Sequence, residues 1–382
     1  MVTNRQEKRL GMSVDFHKEF VHTENTVFQF TDCPGFPLYL NNLIKGMHGS
    51  QIAVFVVDVN GACLESSLWY FRDQIQATRA FGVNKMIFCV NKMDRKTVQW
   101  KQHYFEEICA AIKQLLDKMS IKKEYIKGII PISSFHGDNL NSKSENMAWY
   151  SGPTLLQVLD SIQIQIPPKL ATKPFKMTVM TDSFKIPMGT IVCGTVVQGL
   201  LKKGMKLYCE SKNVGWIVLK IQCGQVDIKE ASYGMQIGIQ LQNAKRKDLM
   251  RGDILCAKME YPIVAPPRFK TIKSLICEVI MTKMVIYSSK KQCATLHIHA
   301  LRTNGMFIQL ISKIAAKSGQ IIENPENIGP YDIGTCKIDV TNSTRCRIWC
   351  TTYQENSLLG SIIIREDDQI VGMGIIKEIQ FN

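Results

Sequence analysis

Between residues 27 and 165, short apolar runs alternate with stretches of helical periodicity, and that alternation leaves few folds open. Strands are expected at Val27–Thr31, Ile52–Val59, Lys85–Val90 and Ile129–Ile132. Ile87-Phe88-Cys89-Val90 is apolar at every position instead of every second one, which suits a strand covered on both faces. Between the last two strands, Tyr104, Ile108, Ala111, Ile112, Leu115, Leu116 and Met119 recur at helical spacing and form one apolar stripe. A β-α-β series of this kind predicts a doubly wound parallel sheet. Such sheets bind ligands at the carboxyl ends of their strands. Thr154-Leu-Leu-Gln-Val-Leu-Asp-Ser-Ile162, running into Pro167-Pro168, predicts the closing helix and places the end of this domain at residue 168.

Beyond that point the pattern changes to short β-rich runs punctuated by glycine, as in Gly189-Thr-Ile-Val-Cys-Gly194-Thr-Val-Val-Gln-Gly199. Ala265-Pro266-Pro267 reads as a second linker, so the expected organisation is an α/β domain over 1–168 and β-barrels over 169–264 and 265–382. The fold class is therefore α/β plus all-β.

Charge is distributed unevenly along this plan. Residues 1–168 carry 18 Lys+Arg against 16 Asp+Glu, and residues 169–382 carry 29 against 17, so +12 of the net +14 belongs to the later part. A basic surface of that size can follow a phosphate backbone through counterion release, which makes RNA the first partner to consider; a generally solvated basic surface explains the charge equally well. The thirteen cysteines include no Cys-x-x-Cys pair, and many lie in apolar stretches, as expected of buried thiols in a reducing compartment. The closest pair, Cys346 and Cys350, is not expected to bind metal. The longest apolar run, inside Gln51–Asp58, has six apolar residues, too few to span a membrane, and the polar start lacks a signal-peptide core. A cytoplasmic protein with no membrane partner is expected.

Three motifs fall at strand ends in one order. Asn91-Lys92-Met93-Asp94 follows Lys85–Val90. Asp94 has the chemistry to accept from guanine N1–H and the exocyclic amine, Asn91 to support the purine edge, and the Lys92 stem to cover the base. Polar readout of this kind discriminates strongly, because a wrong base leaves buried groups unpaired. About sixty residues upstream, Asp32-Cys33-Pro34-Gly35 offers a carboxylate for magnesium and a backbone amide for a terminal phosphate. Downstream, Pro131-Ile132-Ser133-Ser134-Phe135 closes a further strand and offers a backbone N–H to guanine O6.

With these residues the chain resembles translational GTPases of the elongation factor 1-alpha (elongation factor Tu-like) family. The match is closest over Phe81–Asp94, Ile132–Asn139 and Asn146–Leu156, and it continues through both β regions to Leu359–Arg365 and Val371–Lys377. The Asp138-Asn139 and Trp149-Tyr150-Ser-Gly-Pro-Thr-Leu-Leu segments favour the elongation branch over the termination and rescue branches. The resemblance implies a GTPase domain followed by two β-barrels, GTP or GDP and magnesium as cofactors, and aminoacyl-tRNA and the ribosome as partners. A nucleotide exchange factor is implied where nucleotide binds. Carried over residue by residue, Asn91, Lys92 and Asp94 read the base, with Ser133, Ser134 and Phe135 in the base-side loop. Asp32 and Gly35 serve magnesium and terminal phosphate. Gly11-Met12-Ser13-Val14-Asp15 resembles the first switch, in which Ser13 keeps a hydroxyl for magnesium.

The chain also departs from that family. No Gly-x-x-x-x-Gly-Lys-Ser/Thr phosphate loop occurs in it, and ten residues precede Gly11 where the family has its first strand, phosphate loop and first helix. Losing four charge-assisted hydrogen bonds at ~1.5–3 kcal/mol each lowers nucleotide affinity by roughly four to eight orders of magnitude. A truncated GTPase domain is thus expected, its sheet left with an internal gap or re-paired. Phe36 stands where the family has the histidine that positions the attacking water, and its ring offers no such hydrogen bond. No catalytic residue is therefore assigned. Leu10 replaces an arginine, and Gly194-Thr-Val-Val-Gln-Gly199 lacks the two charges of the corresponding family segment. The competing reading is a nucleotide-independent, degenerate paralogue that binds RNA or protein through its basic barrels. His297 and His299, alternating in a strand-like run, are expected to be a satisfied or solvent-facing pair.

Overall fold

The computed structural model describes the chain apart from residues 1–6, 8, 10–11, 24, 60–63, 165–166, 181–183, 187–188, 210–213, 225, 258–271, 342–347 and 382, and the side chains of 37, 64–70 and 184–186. Leu10, Gly11, Cys346 and the Ala265-Pro266-Pro267 segment lie outside the described residues. The chain divides into two compact units, one of residues 1–36, 50–79 and 83–165, the other of residues 37–49, 80–82 and 166–382.

In chain order the first elements are β1 (His17–His22), β2 (Val27–Asp32), α1 (Leu40–Met47), β3 (Ala53–Asp58), α2 (Leu64–Ala80), β4 (Met86–Asn91), α3 (Gln102–Lys118), β5 (Ile126–Pro131) and α4 (Leu155–Ser161). Strands β3, β4 and β5 form a parallel sheet in that order, with Asp58 opposite Asn91 and Val90 opposite Pro131. Each face of the sheet is covered. Phe55, Val57, Phe88 and Val90 pack with Ile75 of α2 and Ile108, Ile112 and Leu116 of α3. Ile87, Cys89 and Ile130 pack on the other side with Val158 and Leu159 of α4, joined by Phe28 and Phe30 of β2. This explains why β4 is apolar throughout: all five residues from Met86 to Val90 are buried.

The stripe along α3 works as its spacing requires, with Ile108, Ile112 and Leu116 buried. That helix ends where Met119 donates to the Leu115 carbonyl at 3.0 Å and Ser120 takes φ +52°. Helix α4 starts on a capping box: Gln157 N–H donates to Thr154 Oγ1 (3.3 Å) and Thr154 N–H to Gln157 Oε1 (3.0 Å).

One expectation is corrected here. Val27–Asp32 does not continue the parallel sheet but pairs antiparallel with β1, a strand the sequence pattern did not suggest. His17-Lys-Glu-Phe-Val-His22 mixes polar and apolar residues without burying any of them fully, so it carries no clear period. Among the described residues no ladder joins β2 to β3, and the sheet of this unit is therefore in two pieces. On β3 the amides of Ala53 and Val59 donate toward β4 (2.9 and 3.0 Å), so strand alternation turns those of Val54 and Val56 to the open edge. The Val56 side chain is 55% exposed.

The second unit holds two closed barrels, each of six antiparallel strands. The first ring runs Lys176–Val179, Gly189–Gln198, Gln236–Leu241, Val214–Cys223, Lys206–Cys209, Ile254–Cys256 and back to the start. Val192, Val196, Leu207, Ile239 and Leu255 fill it. Gly194 is required in this ring, because a Cβ there would sit 2.1 Å from the Thr178 carbonyl oxygen. The second ring runs Ile272–Met281, Gln369–Phe381, Ser361–Glu366, Cys293–Ile298, Leu301–Ile314, Ile333–Asp339 and back. Leu275, Val279, Leu296, Ile338, Ile362 and Ile364 fill that one.

The segment 37–49 belongs to the same unit. Buried Arg365 donates to the Asn41 side-chain oxygen, and the His48 ring lies 3.1 Å from Thr178 Oγ1. His297 and His299 are buried, not solvent-facing. His299 Nε2 donates to the Trp349 carbonyl at 2.8 Å, while His297 lies against Arg365. Burial holds both imidazoles below their usual range, His299 at about 4.

Candidate functional site

The carboxyl ends of β4 and β5 bring the sequence-predicted base-reading residues together. Asn91, the last residue of β4, donates from Nδ2 to Ser134 Oγ (2.9 Å) and accepts at Oδ1 from the backbone N–H groups of Ser134 (3.0 Å) and Lys92 (2.7 Å). Three residues on, Asp94 Oδ1 accepts from the buried Ser133 hydroxyl at 2.6 Å. Two loops are thereby tied side chain to side chain. A carboxylate oxygen can only accept, so the Ser133 hydroxyl donates to Asp94 while its oxygen accepts from His136 N–H (3.2 Å). The second Asp94 oxygen has no partner among the described residues, and the carboxylate is half-buried. It is free to accept from a guanine edge.

The loop shape depends on one unusual backbone position. Lys92 has φ +68°, a left-handed conformation that costs a non-glycine residue about 1–2 kcal/mol. The Asn91 side chain offsets part of this by accepting the Lys92 amide. Met93 is fully buried and donates its N–H to the Ile132 carbonyl (3.3 Å), so the residue between Lys92 and Asp94 anchors the loop to the sheet. Around the other loop, Asp138 accepts from Trp100 Nε1 (2.9 Å) and from Ser144 Oγ (2.7 Å). Buried Asn139 donates to the Pro131 carbonyl (2.9 Å). These contacts give the Asp138-Asn139 pair a physical role, holding the β5 loop. Phe135, at the tip, is 87% exposed and presents an open aromatic face.

Asp32 and Ser13 are also brought together, with Ser13 Oγ 3.4 Å from Asp32 Oδ2. The pair offers two oxygens, which suits magnesium only when waters and a phosphate complete the shell. Among the described residues there is no cluster of three or more His, Cys, Asp or Glu placed to hold a metal. Gly35 follows at the end of β2, its carbonyl accepting from Gln74 Nε2 at 3.1 Å. Phe36 comes next and is 48% exposed. Beside them, burial and the neighbouring Asp32 push the Cys33 thiol up to about 12, so it is no nucleophile.

Three residues stand in the site that sequence reasoning did not single out. Asp58, the last residue of β3 and the register partner of Asn91, accepts from Lys92 Nζ (2.8 Å) and Arg95 Nη2 (3.1 Å) on the same oxygen. An acidic residue ending an apolar strand was the available signal. Arg95 directly follows the guanine-reading motif. Glu7 is the third: its buried carboxylate accepts from the amides of Val14 (2.8 Å) and Asp15 (3.1 Å), and lies 2.9 Å from the His17 ring. Those two amides, then the His17 contact, hold Glu7 at about 2.

Comparison with known proteins gives three consecutive family matches. They are the elongation factor Tu GTP binding domain over residues 1–168, elongation factor Tu domain 2 over 189–256, and the GTP-eEF1A C-terminal domain-like family over 274–377. Elongation factor 1-alpha of Archaeoglobus fulgidus is 28% identical over 378 residues, covering 98% of this chain and 84% of that protein. The Methanocaldococcus jannaschii elongation factor 1-alpha is 29% identical over 381 residues, with 98% and 84% covered. Among solved structures, translation elongation factor SelB from Methanococcus maripaludis with the GTP analogue GppNHp is similar in fold. Its TM-score is 0.71 at 18% identity, over 96% of this chain and 74% of that one. A bacterial selenocysteine-specific elongation factor gives a TM-score of 0.68 at 17% identity, over 98% of this chain and 53% of that one.

Proposed function

We propose, for a chain that belongs to the translational GTPase family of elongation factors Tu and 1-alpha, that it is an elongation factor 1-alpha-like protein that still reads guanine and hydrolyses GTP poorly. The observation that carries this reading is the paired tie of Asn91 to Ser134 and Asp94 to Ser133. It leaves one Asp94 oxygen for the guanine edge, with Lys92 and Phe135 carried by the same two loops. A bound GTP or GDP would supply phosphate oxygens to complete a magnesium site. Ser13 and Asp32 are the residues that would hold the metal, and Gly35 the amide toward a terminal phosphate. Phe36 neither donates nor accepts, so no group at that position orients a water. Aminoacyl-tRNA and the ribosome are the partners this reading carries over from the family, with an exchange factor where nucleotide binds, in the cytoplasm.

The test is titration of the 382-residue protein with fluorescent GDP, GTP and their adenine counterparts in magnesium. Guanine-selective binding, weaker than about 1 μM because charge-assisted phosphate contacts are few and lost in Asp94→Asn, is the expected result. Equal binding of adenine nucleotides would overturn it. A second reading, a nucleotide-independent paralogue that binds RNA or protein through its barrels, is favoured by the +12 net charge of residues 169–382. RNA binding with an unchanged salt slope in Asp94→Asn would support that alternative.

A further inference from the structure

The outer face of the second barrel carries an apolar row where a barrel ordinarily meets water. Strand register sets Ile321 opposite Ile314, Ile314 opposite Ile333, Ile333 opposite Ile280, and Ile280 opposite Met373. Residues directly opposite one another in a ladder share a face, so these side chains form one row across five strands. The face is the outer one, because Val279 and Met281, on either side of Ile280, belong to the core. At about 4.8 Å between strands the row is roughly 20 Å long. Ile321 is 66% exposed and Ile314 40%, and the other three are half-buried. Contiguous exposed apolar surface of this kind marks an interaction site.

The two flanks of the row differ in charge. On one side the next outward-facing residues are Glu323, Ser312, Thr335 and Glu278, in register with one another. On the other side stand Lys317, in the turn between Leu301–Ile314 and Ile321–Glu323, and Lys283, just past the end of Ile272–Met281. Glu278 takes Lys377 at 3.1 Å, and Lys283 donates to Gln369 Oε1 at 3.4 Å. Lys317 and Glu323 are exposed and join no ion pair among the described residues. We infer that this face is an interface with a second copy of the chain, packed face to face about a two-fold axis that runs along the row. That operation lays each apolar side chain on its own counterpart and exchanges the flanks, so Glu323 of each copy meets Lys317 of the other. A two-fold along the strands would instead set acid on acid, and edge-to-edge pairing would leave the row uncovered. The strands of the two copies then lie within about 30° of each other, the aligned packing of stacked sheets. A face of this length and three rows deep covers on the order of 400 Å² per copy, at the low end for specific association, so the dimer is weak and reversible.

Sedimentation velocity on the full chain, from about 1 to 200 μM at low salt, tests this; a monomer–dimer equilibrium with Kd of about 1–100 μM is the expected result. Ile321→Lys, at an exposed position, should raise Kd at least about tenfold. Val226→Lys, at a 65% exposed apolar residue of the first barrel, should leave it unchanged. Lys317→Glu sets acid on acid and should weaken the dimer about three- to tenfold, and adding Glu323→Lys should recover it to within about twofold. Circular dichroism matching the wild type checks that each variant is folded. A protein that stays monomeric over the whole range overturns the inference and leaves the face to a different protein. A dimer untouched by Ile321→Lys overturns it as well. So does a Lys317→Glu defect that Glu323→Lys fails to recover, because the two residues then do not face each other.

Discussion

The two units of this molecule treat their sheet edges in opposite ways. In the barrels every one of the twelve ring strands is paired on both sides. Among the described residues of the GTPase-like unit the sheet is split into a hairpin and a three-stranded piece, and β3 turns amides to an open edge while its Val56 side chain is 55% exposed on a face of the sheet. Closure removes edges altogether, whereas an open edge strand depends on its one neighbour and on the helices packed against it. The difference teaches where stability and function lie. The barrels carry dense closed cores; the loops of the candidate site hang from a sheet that is well packed at β4 and loosely bounded at β3.

The contrast is broken most directly in the cores. Ile362→Ala, in the closed ring at 0% exposure, is expected to cost about 2–5 kcal/mol. Val56→Ala on the open edge should change stability by less than about 0.5 kcal/mol. Urea unfolding of both variants, followed separately in each unit, checks the pair. Similar losses at both positions would show that β3 is covered in solution.

Acid should separate the units next. His299 is buried neutral with its pKa lowered to about 4 from 6.5, so the unfolded chain takes up the proton first as pH falls. Its contribution is fully present above pH 6.5 and is lost between 6.5 and about 4, roughly 3 kcal/mol for a shift of this size. Glu7 behaves differently. Its carboxyl is lowered to about 2 from 4.5, so what it contributes is present above 4.5 and is lost on approach to pH 2. Unfolding midpoints recorded from pH 7 to 3 are expected to fall first in the barrel unit, and His299→Gln should flatten that fall.

Smaller effects sharpen the view of the site. Asn91→Ala removes the acceptor for two backbone amides and the donor to Ser134, and should cost about 1–3 kcal/mol in guanosine binding. Calorimetric titration with guanosine measures it. The smallest expected signal is in hydrogen exchange: Val54 and Val56 amides should exchange well before those of Ala53 and Val59, and before the ring strands.

Much of this was legible in the residues. The β-α-β alternation placed β4, α3 and β5 to within a few residues, because each is driven by its own local apolar pattern. The meeting of the two polar loops was legible for a related reason. Asn91, Asp94, Ser133 and Ser134 sit at strand ends that the pattern already marks, and their hydrogen bonds follow once β4 and β5 lie side by side. Strand β1 escaped notice because a half-exposed hairpin needs no clean period. Asp58 escaped because its importance depends on a partner 34 residues away.

Alone, the chain of residues determined the order of an α/β region followed by two β regions, and which polar side chains stand at the ends of β4 and β5. Both rest on local quantities: hydrophobic period, turn residues and the hydrogen-bonding inventory of a few side chains. Ring closure of each barrel, the division of the first sheet and the pairing of Lys92 and Arg95 with Asp58 were decided only by tertiary structure. Each of these depends on which distant strands share a ladder, and pairing across tens of residues is set by the packing of the whole unit and not by any single segment.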